Sequence, residues 1–222
     1  MKTALRNGGL VVELPAIRRC LSSAVLGGGL GWICTWLNLQ VERSYDCTNP
    51  VTDLRASAAG LVPPVVGMLT AAPVDRFTTG AHGCAEAVAT VGLRHPIVAA
   101  GAALDPAPSV GTINLLVVVD AALSDAGLAN ALQTAVEAKA QALAAARVPA
   151  LNGEGFATGT ATDSICVACL PSGSLTYAGP ATPHGGDLAA AAHDAVLRGA
   201  LASSRAGSRG LHQDRPNRVP RW

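Results

Sequence analysis

An apolar run, a long alanine-rich segment and a second apolar run follow one another in the middle of the chain, and this succession constrains the fold most. Residues 111–119 (GTINLLVVV) are predicted to form a strand, because a glycine and a threonine lead into continuous apolar side chains. Residues 124–147 are predicted to form a helix, since alanine is dense there and Ser124 or Asp125 provides a start signal. Residues 164–170 are apolar again and indicate another strand. Polar groups therefore lie at the ends of elements that are expected to be buried.

The rest of the chain adds strands to the first half and a helix near the end. Residues 20–41 carry apolar segments on both sides of three consecutive glycines, which predicts a hairpin. Residues 50–60 begin with a proline and end with a glycine, a pattern typical of a short helix. A last helix is expected at 184–202, and Pro15 is expected to end the first strand. Further short strands are expected at residues 8–14, 64–70, 84–92 and 175–179.

These elements predict one domain over residues 1–202, of the α/β or α+β class, in which helices pack on a mixed β-sheet. Half of the residues are apolar but only 3% are aromatic, so the core is expected to consist of alanine, valine and leucine. Residues 203–222 contain five arginines and few apolar side chains. We therefore expect this last segment to be a disordered tail.

Charge and hydropathy exclude several classes of partner. The formal net charge is +1 and no basic stripe is interleaved with aromatic residues, so no nucleic-acid partner is expected. No apolar run reaches the length of a membrane span, and the N-terminal segment lacks the apolar region of a signal peptide. A cytoplasmic protein without a membrane partner is therefore expected. The sequence leaves the oligomeric state open, including a homo-oligomer.

Six cysteines occur, and Cys166 and Cys169 form a CxxC pair that invites a metal or redox interpretation. No second CxxC or neighbouring histidine completes a four-ligand set, and the five histidines lack metal-ligand spacing. The cysteines are therefore expected to be free and mostly buried thiols, and no metal site is expected. Motifs of serine hydrolases, phosphate-binding loops and zinc proteases do not occur either.

One lysine occupies an unusual position in the predicted long helix. At about 100° per residue, Lys139 falls on the apolar stripe, whereas Glu137 falls on the opposite face. An ammonium group there must reach water at the edge of the stripe or meet a partner, because an unpaired buried charge is costly. A structural lysine and a lysine held in a dry catalytic site with an altered pKa both fit this pattern. The other residues of the stripe are Leu128, Leu132, Val136 and Leu143.

Two further segments carry polar side chains that are suited to chemistry. In residues 158–164 (TGTATDS) the threonines share one face of an extended chain, and Gly159 would allow close approach of the backbone. These hydroxyls could bind a substrate or supply a nucleophile, and a threonine-rich edge strand with Asp163 in a turn fits equally. In GTIN, Thr112 and Asn114 share one face of the strand start, which is also compatible with a plain strand.

The order of these motifs resembles the adenosylcobinamide amidohydrolases, the CbiZ-type family. GTINLLVVVD, EAKAQAL and ATGTATDSICVA occur in the family's order and with similar gaps, and YAG follows them. In the first half, the segments SSAVLGGG (22–29), VGMLTAA (66–72) and TVGL (90–93) also resemble the family. The resemblance extends over about residues 20–201.

The resemblance implies hydrolysis of the amide that joins a propionyl side chain of the corrin ring to aminopropanol in adenosylcobinamide. The product would be adenosylcobyric acid, which implies a role in corrinoid salvage for cobalamin synthesis. The expected partner is thus a corrinoid substrate. Because that substrate carries the cobalt, no protein-bound metal or other cofactor is expected.

Amide hydrolysis needs a nucleophile, a base, donors for the oxyanion and an acid for the leaving amine. Lys139 is expected to act as the base or the proton donor, and Asp163 to orient it or to activate water. Asn114 is expected to donate to the oxyanion.

The nucleophile remains open at this point. Thr160, Thr162 or a directly activated water could attack, and a hydroxyl would need an adjacent base. Cleavage of the chain before Thr112 would instead free an N-terminal threonine nucleophile. The substrate-binding residues that the resemblance indicates are Gly28, Gly29, Asn38, Thr70, Thr90, Gly92, His95, Thr112, Glu137, Gly159 and Tyr177.

The chain departs from the family pattern at four places. Leu26-Gly27 stands where an Asn-Gly pattern is common, and Ala140 stands where threonine is usual. Arg94-His95-Pro96 stands where the family has a small residue, Asn and Ala, and residues 180–187 replace a threonine-rich loop. The last two departures support one alternative to the hydrolase, a non-catalytic corrinoid-binding protein. Another alternative, outside the resemblance, is an amidase for a different substrate.

Overall fold

The computed structural model describes residues 1–102 and 111–210. In this part of the chain the strands are β1 (Lys2–Arg6), β2 (Gly9–Ser22), β3 (Gly29–Gln40), β4 (Val65–Thr70), β5 (Thr78–His82), β6 (Ala85–Gly92), β7 (Pro96–Ile97), β8 (Thr112–Val119), β9 (Gly159–Thr160) and β10 (Ser164–Cys169). The helices are α1 (Pro50–Ser57), α2 (Asp125–Ala145) and α3 (Pro183–Gly210).

Eight strands form one mixed sheet in the order β4-β3-β2-β10-β8-β6-β5, and β1 pairs with β2. β10 runs parallel to β8 and β3 runs parallel to β4, while the other neighbours are antiparallel. β7 and β9 form a separate antiparallel pair. The predicted α/β domain, with helices packed on a mixed sheet, is thereby confirmed.

β8 is buried on both faces, which explains its continuous apolar sequence. Ile113 and Leu115 pack on one side with residues of α2 and α3. Leu116 and Val118 point to the other side, into a second apolar cluster. Because successive side chains of a strand alternate in direction, Asn114 also points into that second side.

The sheet curls until strands that are not neighbours face each other. β3 and β8 are separated by β2 and β10 in the sheet, yet Asn114 Nδ2 on β8 lies 2.7 Å from Asn38 Oδ1 on β3. Asn114 also donates to the carbonyl of Leu69 on β4, at 2.8 Å. The inside of the curl is filled by large apolar side chains such as Trp36 and Met68. The curl therefore brings the end of β4 beside the start of β8.

Pro15 does not end the strand that was predicted at 8–14, because β2 continues past it. The pairing of β2 with β3 changes register between Glu13 and Arg18. Such an irregularity accommodates proline, which has no N–H to donate to the neighbouring strand. The hairpin predicted over 20–41 is confirmed, since β2 and β3 pair around the glycine-rich turn.

Most other predicted elements are confirmed near their predicted bounds. α1 begins at Pro50, as predicted. α2 begins after Ser124, whose hydroxyl accepts the N–H of Gly127 at 3.2 Å and so caps the helix. The strands predicted at 64–70, 84–92, 111–119 and 164–170 are β4, β6, β8 and β10.

Two predictions for the last third of the chain are corrected. Residues 175–179 form no strand, and only Leu175 makes an isolated bridge, to Leu123. The last helix does not end at 202, because α3 continues to Gly210. Residues 203–210 are thus helical rather than part of the predicted tail, whose remainder, 211–222, lies outside the described residues.

The CxxC pair cannot hold one ion, because its two cysteines point to opposite faces of β10. Cys166 lies in the cluster inside the curl, and Cys169 packs with the helices. All six cysteines are free thiols, as predicted. Among the described residues no three His, Cys, Asp or Glu side chains are grouped to hold a metal ion. No helix within 1–102 and 111–210 is long and apolar enough to cross a membrane.

Candidate active site

A cleft of about 340 Å³ opens where β4 ends and where β8 and β10 begin. Apolar side chains, among them Met68 and Leu69, form part of its wall. Thr112 and Asn114 line it from β8, and the end of the TGTATDS loop lines it with Asp163. We call it the main cleft. Thr112, Asn114, Thr162 and Asp163 thus come from the two motifs that the sequence singled out.

Lys139 and Asp163 form a buried ion pair behind this cleft. Lys139 lies in the second half of α2 and is only 7% exposed, and its Nζ bonds to Asp163 Oδ2. The helix periodicity therefore predicted the direction of Lys139 correctly, and Glu137 is exposed as predicted. Val136 is an exception, because it is 44% exposed although the helix periodicity placed it on the apolar stripe.

The carboxylate of Asp163 is saturated with donors. Its Oδ2 also accepts the N–H of Thr160 at 3.0 Å, and its Oδ1 accepts the N–H of Ile113 at 2.9 Å. The hydroxyl of Thr160 contacts Oδ1 as well. Asp163 thus joins α2, β8 and the TGTATDS loop, and no lone pair is left in a good position to take a proton from a substrate.

Gly159 is required beside this ion pair. A Cβ atom at this position would lie 2.6 Å from Lys139 Nζ and still closer to Asp163 Oδ2. Any side chain would therefore push the ammonium and the carboxylate apart. The close approach of the backbone at Gly159, predicted from the sequence, is directed at these two side chains.

Three threonine hydroxyls surround the peptide bond between Gly111 and Thr112. Thr160 Oγ1 lies 2.7 Å from the carbonyl oxygen of Gly111, and Thr162 Oγ1 lies 3.0 Å from it. Thr112 Oγ1 lies 2.7 Å from Thr162 Oγ1. Because the Thr160 hydroxyl has one hydrogen, it serves either Gly111 or Asp163 at a given moment. Thr112 and Thr162 line the main cleft, whereas Thr160 lies behind it.

The amide of Asn114 is oriented by its neighbours. Both hydrogens of its Nδ2 are used, by Asn38 Oδ1 and by the carbonyl of Leu69. Asn38 in turn donates to Thr90 Oγ1 at 2.7 Å. Because the Leu69 carbonyl can only accept, the amide cannot be flipped without losing that bond. Asn114 therefore has no hydrogen left for the oxyanion role that the sequence predicted, and its buried Oδ1 is an acceptor without a donor among the described residues.

Tyr45, which was not among the predicted site residues, also lines the main cleft. Its hydroxyl donates to Asp53 Oδ2 on α1. This hydrogen bond, helped by partial burial and the negative charge of Asp53, raises the pKa of Tyr45 to about 12. The phenol is therefore neutral at physiological pH and can act as a fixed polar group of the wall.

A second cleft of about 420 Å³ adjoins the main cleft and shares Arg43 and Thr112 with it. Arg76 and Arg94 also line it, and its described lining contains no Asp or Glu. We call it the arginine cleft. These three arginines are far apart in sequence, so no local pattern could have predicted that they converge.

The chain matches the family model described as adenosylcobinamide amidohydrolase over residues 1–208. It is 34% identical to an adenosylcobinamide amidohydrolase of Halobacterium salinarum (strain ATCC 700922 / JCM 11081 / NRC-1), over 93% of this chain and 90% of the relative. It is 29% identical to a protein of the same name from Methanosarcina mazei (strain ATCC BAA-159 / DSM 3647 / Goe1 / Go1 / JCM 11833 / OCM 88), over 80% of this chain and 86% of the relative. The chain belongs to the adenosylcobinamide amidohydrolase family. The resemblance drawn from GTIN, EAKAQAL and TGTATDS is thereby confirmed.

In this member of the family, most of the predicted site residues lie together. Those that line the main cleft are Thr70, Thr112, Asn114, Thr162 and Asp163. Those directly behind it, joined to the lining by hydrogen bonds or by close packing, are Asn38, Thr90, Lys139, Gly159 and Thr160. Gly92 lines the arginine cleft.

The remaining predicted residues line neither cleft. Gly28 lies in the exposed turn before β3, Gly29 is the exposed first residue of β3, and Glu137 is exposed on α2. His95 is half-buried before β7. Tyr177 is 74% exposed, and the N–H of the next residue, Ala178, donates to Asn130 in the first half of α2. The structure thus gives these five residues no place in the lining of the site.

The departures from the family pattern at 94–96 and 180–187 lie outside the lining of the main cleft. Arg94 contributes to the arginine cleft, and the neighbouring His95 and Pro96 line neither cleft. Residues 180–187 precede or begin α3, where Thr182 accepts the N–H of Gly185 and Asp187 accepts the N–H of Cys84. The replaced loop therefore serves the start of a helix, and none of its residues lines the main cleft.

Proposed function

We propose that the protein hydrolyses the aminopropanol amide of adenosylcobinamide and releases adenosylcobyric acid, as a step of corrinoid salvage for cobalamin synthesis. The observation that carries the proposal is the meeting of GTIN, EAKAQAL and TGTATDS at one cleft. The Lys139–Asp163 pair, the hydroxyls of Thr112 and Thr162, and the amide of Asn114 come from these three segments. The names of the relatives supply the substrate.

The size of the main cleft supports a particular way of binding. At about 340 Å³ it lies near the lower end of the range for small-molecule pockets. It therefore admits a side chain that carries an amide rather than a complete corrin ring. The ring would then lie outside, towards the arginine cleft, which continues the same surface through Arg43 and Thr112.

Thr112 and Thr162 are the proposed nucleophiles. Thr112 and Thr162 reach the cleft, whereas the Thr160 hydroxyl is committed to Gly111 or Asp163 behind it. Attack on the amide carbonyl would form a tetrahedral intermediate. Its collapse would expel aminopropanol, which takes up the proton of the hydroxyl, and water would hydrolyse the resulting ester.

Lys139 and Asp163 are proposed to organise this site. The charge of Lys139 compensates the buried carboxylate, and the carboxylate holds the N–H groups of Thr160 and Ile113. These bonds hold the TGTATDS loop in a fixed position beside the start of β8. The proposal requires no resident metal or other cofactor, because the cobalt arrives within the substrate. It also requires no nucleic-acid or membrane partner, and it fits a cytoplasmic enzyme.

Incubation of the purified protein with adenosylcobinamide tests the proposal. Release of aminopropanol, with adenosylcobyric acid formed in equal amount, is the expected result. Binding of the corrinoid without release would favour the non-catalytic corrinoid-binding protein. Hydrolysis of simple amides in preference to the corrinoid would favour an amidase for another substrate.

A further inference from the structure

We propose that the protein cleaves its own chain between Gly111 and Thr112, which turns Thr112 into an N-terminal nucleophile. Such a modification goes beyond the hydrolysis of a corrinoid amide. The proposal is based on the contacts around the peptide bond between Gly111 and Thr112 in the intact chain.

The carbonyl oxygen of Gly111 accepts hydrogen bonds from two hydroxyl groups, an arrangement that resembles an oxyanion hole. Thr160 and Thr162 place hydroxyl oxygens 2.7 Å and 3.0 Å from its oxygen. Hydroxyl donors at such distances stabilise the negative charge that develops when a carbonyl is attacked. The hydroxyl of Thr112, the residue that follows this carbonyl, is the nearest nucleophile along the chain and bonds to Thr162 at 2.7 Å.

In the intact chain, no base among the described residues bonds to the hydroxyl of Thr112. Among the described residues, the only side chain that bonds its hydroxyl is Thr162, another hydroxyl. The carboxylate of Asp163 is occupied by Lys139 and by two backbone N–H groups. A hydroxyl without an adjacent base is a weak nucleophile, which is sufficient for one slow self-cleavage but not for repeated turnover. An N-terminal threonine removes this deficit, because its own amino group can accept the proton of its hydroxyl.

The cleavage balances without any further reagent except water. Thr112 Oγ1 attacks the carbonyl carbon of Gly111, and a C–O bond forms. The C–N bond of the peptide breaks, and the amide nitrogen takes up the proton that the Thr112 hydroxyl loses. Water then hydrolyses the ester, which leaves a carboxylate on Gly111 and a free amino group and hydroxyl on Thr112.

The same two donors would serve both reactions. Once Gly111 carries a free carboxylate and can leave, the hydroxyls of Thr160 and Thr162 no longer have its carbonyl as acceptor. They then point at the place where the oxyanion of a substrate amide would form beside Thr112. This gives the cleaved enzyme the oxyanion donors that Asn114 cannot supply, because both of its hydrogens are used.

Intact mass measurement of the purified full-length chain tests the proposal. We expect two polypeptides, 1–111 and 112–222, whose masses add up to the chain plus one water, and N-terminal sequencing of the second should begin Thr-Ile-Asn. Thr112→Val should remain uncut, and Thr112→Ser should still be cut. Circular dichroism of Thr112→Val should match that of the wild type.

A matched pair of threonine variants separates chemistry from a general loss of structure. Thr162→Val removes a donor to Gly111 and should slow cleavage by about 100-fold, the usual effect of losing one oxyanion donor. Thr158→Val, in the same loop, should be cut at the wild-type rate, because Thr158 accepts from Ala99 and does not contact Gly111. Equal rates in the two variants would contradict the proposal.

A wild-type chain that stays whole and still hydrolyses adenosylcobinamide overturns self-cleavage but leaves the proposed function standing. A chain that is cut before Thr112 but releases no aminopropanol supports self-cleavage and counts against the proposed substrate. Cleavage only at other bonds also overturns the proposal.

Discussion

Lys139 Nζ bonds to Asp163 Oδ2 across 24 residues of chain, and each side chain is only 9% exposed. The bond joins the second half of α2 to the loop that leads into β10. A buried ammonium and a buried carboxylate each need a partner, because the loss of hydration is large. This single contact therefore fixes the threonine loop against α2.

Replacing Lys139 by Met should destabilise the protein strongly. Removal of one partner from a buried ion pair leaves an uncompensated charge, and the free energy of unfolding should fall by about 3–5 kcal/mol. Urea denaturation measures this change. Glu137→Gln is the matched control, since Glu137 lies two residues away on the exposed face and should change stability by less than about 0.5 kcal/mol. A small effect of Lys139→Met would show that the pair contributes little.

Asp163→Asn should abolish amide hydrolysis, because the amide cannot hold Lys139 and the two backbone N–H groups at once. The rate of aminopropanol release, measured at a temperature where circular dichroism shows the variant to be folded, provides the test. A folded Asp163→Asn protein that works at the wild-type rate would rule out this role.

Gly159→Ala should separate the ion pair without changing any charge. The added methyl group would lie 2.6 Å from Lys139 Nζ, so the side chains must shift, and such overpacking typically costs about 1–3 kcal/mol. We expect lower thermal stability and slower hydrolysis. Gly31→Ala is the control, because no atom lies within 4 Å of its Cβ position. Similar losses in both variants would argue against a specific contact.

Asn114→Leu should weaken both the fold and substrate binding. It leaves Asn38 Oδ1 and the Leu69 carbonyl without their donor, at about 1–3 kcal/mol for each buried group. It also removes the unpaired acceptor of the main cleft, which we expect to accept an N–H of the substrate. KM should therefore rise by about tenfold. Asn114→Asp keeps an acceptor and should bind better than Asn114→Leu; equal KM values would contradict this role.

The stability of the start of α3 should depend on pH through Asp187. Its carboxylate accepts the N–H of Cys84, and this bond lowers the pKa of Asp187 below its ordinary value of 3.8. A lowered folded-state pKa gives stability that is present above 3.8 and lost as the pH falls through the folded value. Asp187→Asn should thus lower Tm at pH 7, but it should not lower Tm at a pH below the folded-state pKa of Asp187. Thermal melts of the wild type and the variant at both pH values measure the difference in Tm. A difference that is independent of pH would contradict the assignment.

Local sequence was sufficient for most of the secondary structure, because side-chain periodicity and capping act over a few residues. Ser124 caps α2, and the glycine-rich turn closes the β2–β3 hairpin, both as predicted. The prediction that the first strand ends at Pro15 was wrong. The pairing of β2 with β3 changes register around this proline, so β2 continues beyond it. Such an irregularity depends on the partner strand, which local sequence does not specify.

In the candidate site, too, local sequence predicted some features and long-range contacts determined the others. The 3.6-residue period alone turned Lys139 inward and Glu137 outward, since the direction of a helical side chain follows from its position in the turn. The sequence left open whether Asp163 orients Lys139 or activates water, and it could not show that the donors of Asn114 are used by β3 and β4. Those contacts depend on the curl of the sheet, which brings β4 against β8 although three strands separate them. The sequence determined which residues are able to do chemistry, and the long-range packing of the sheet decided which of them meet.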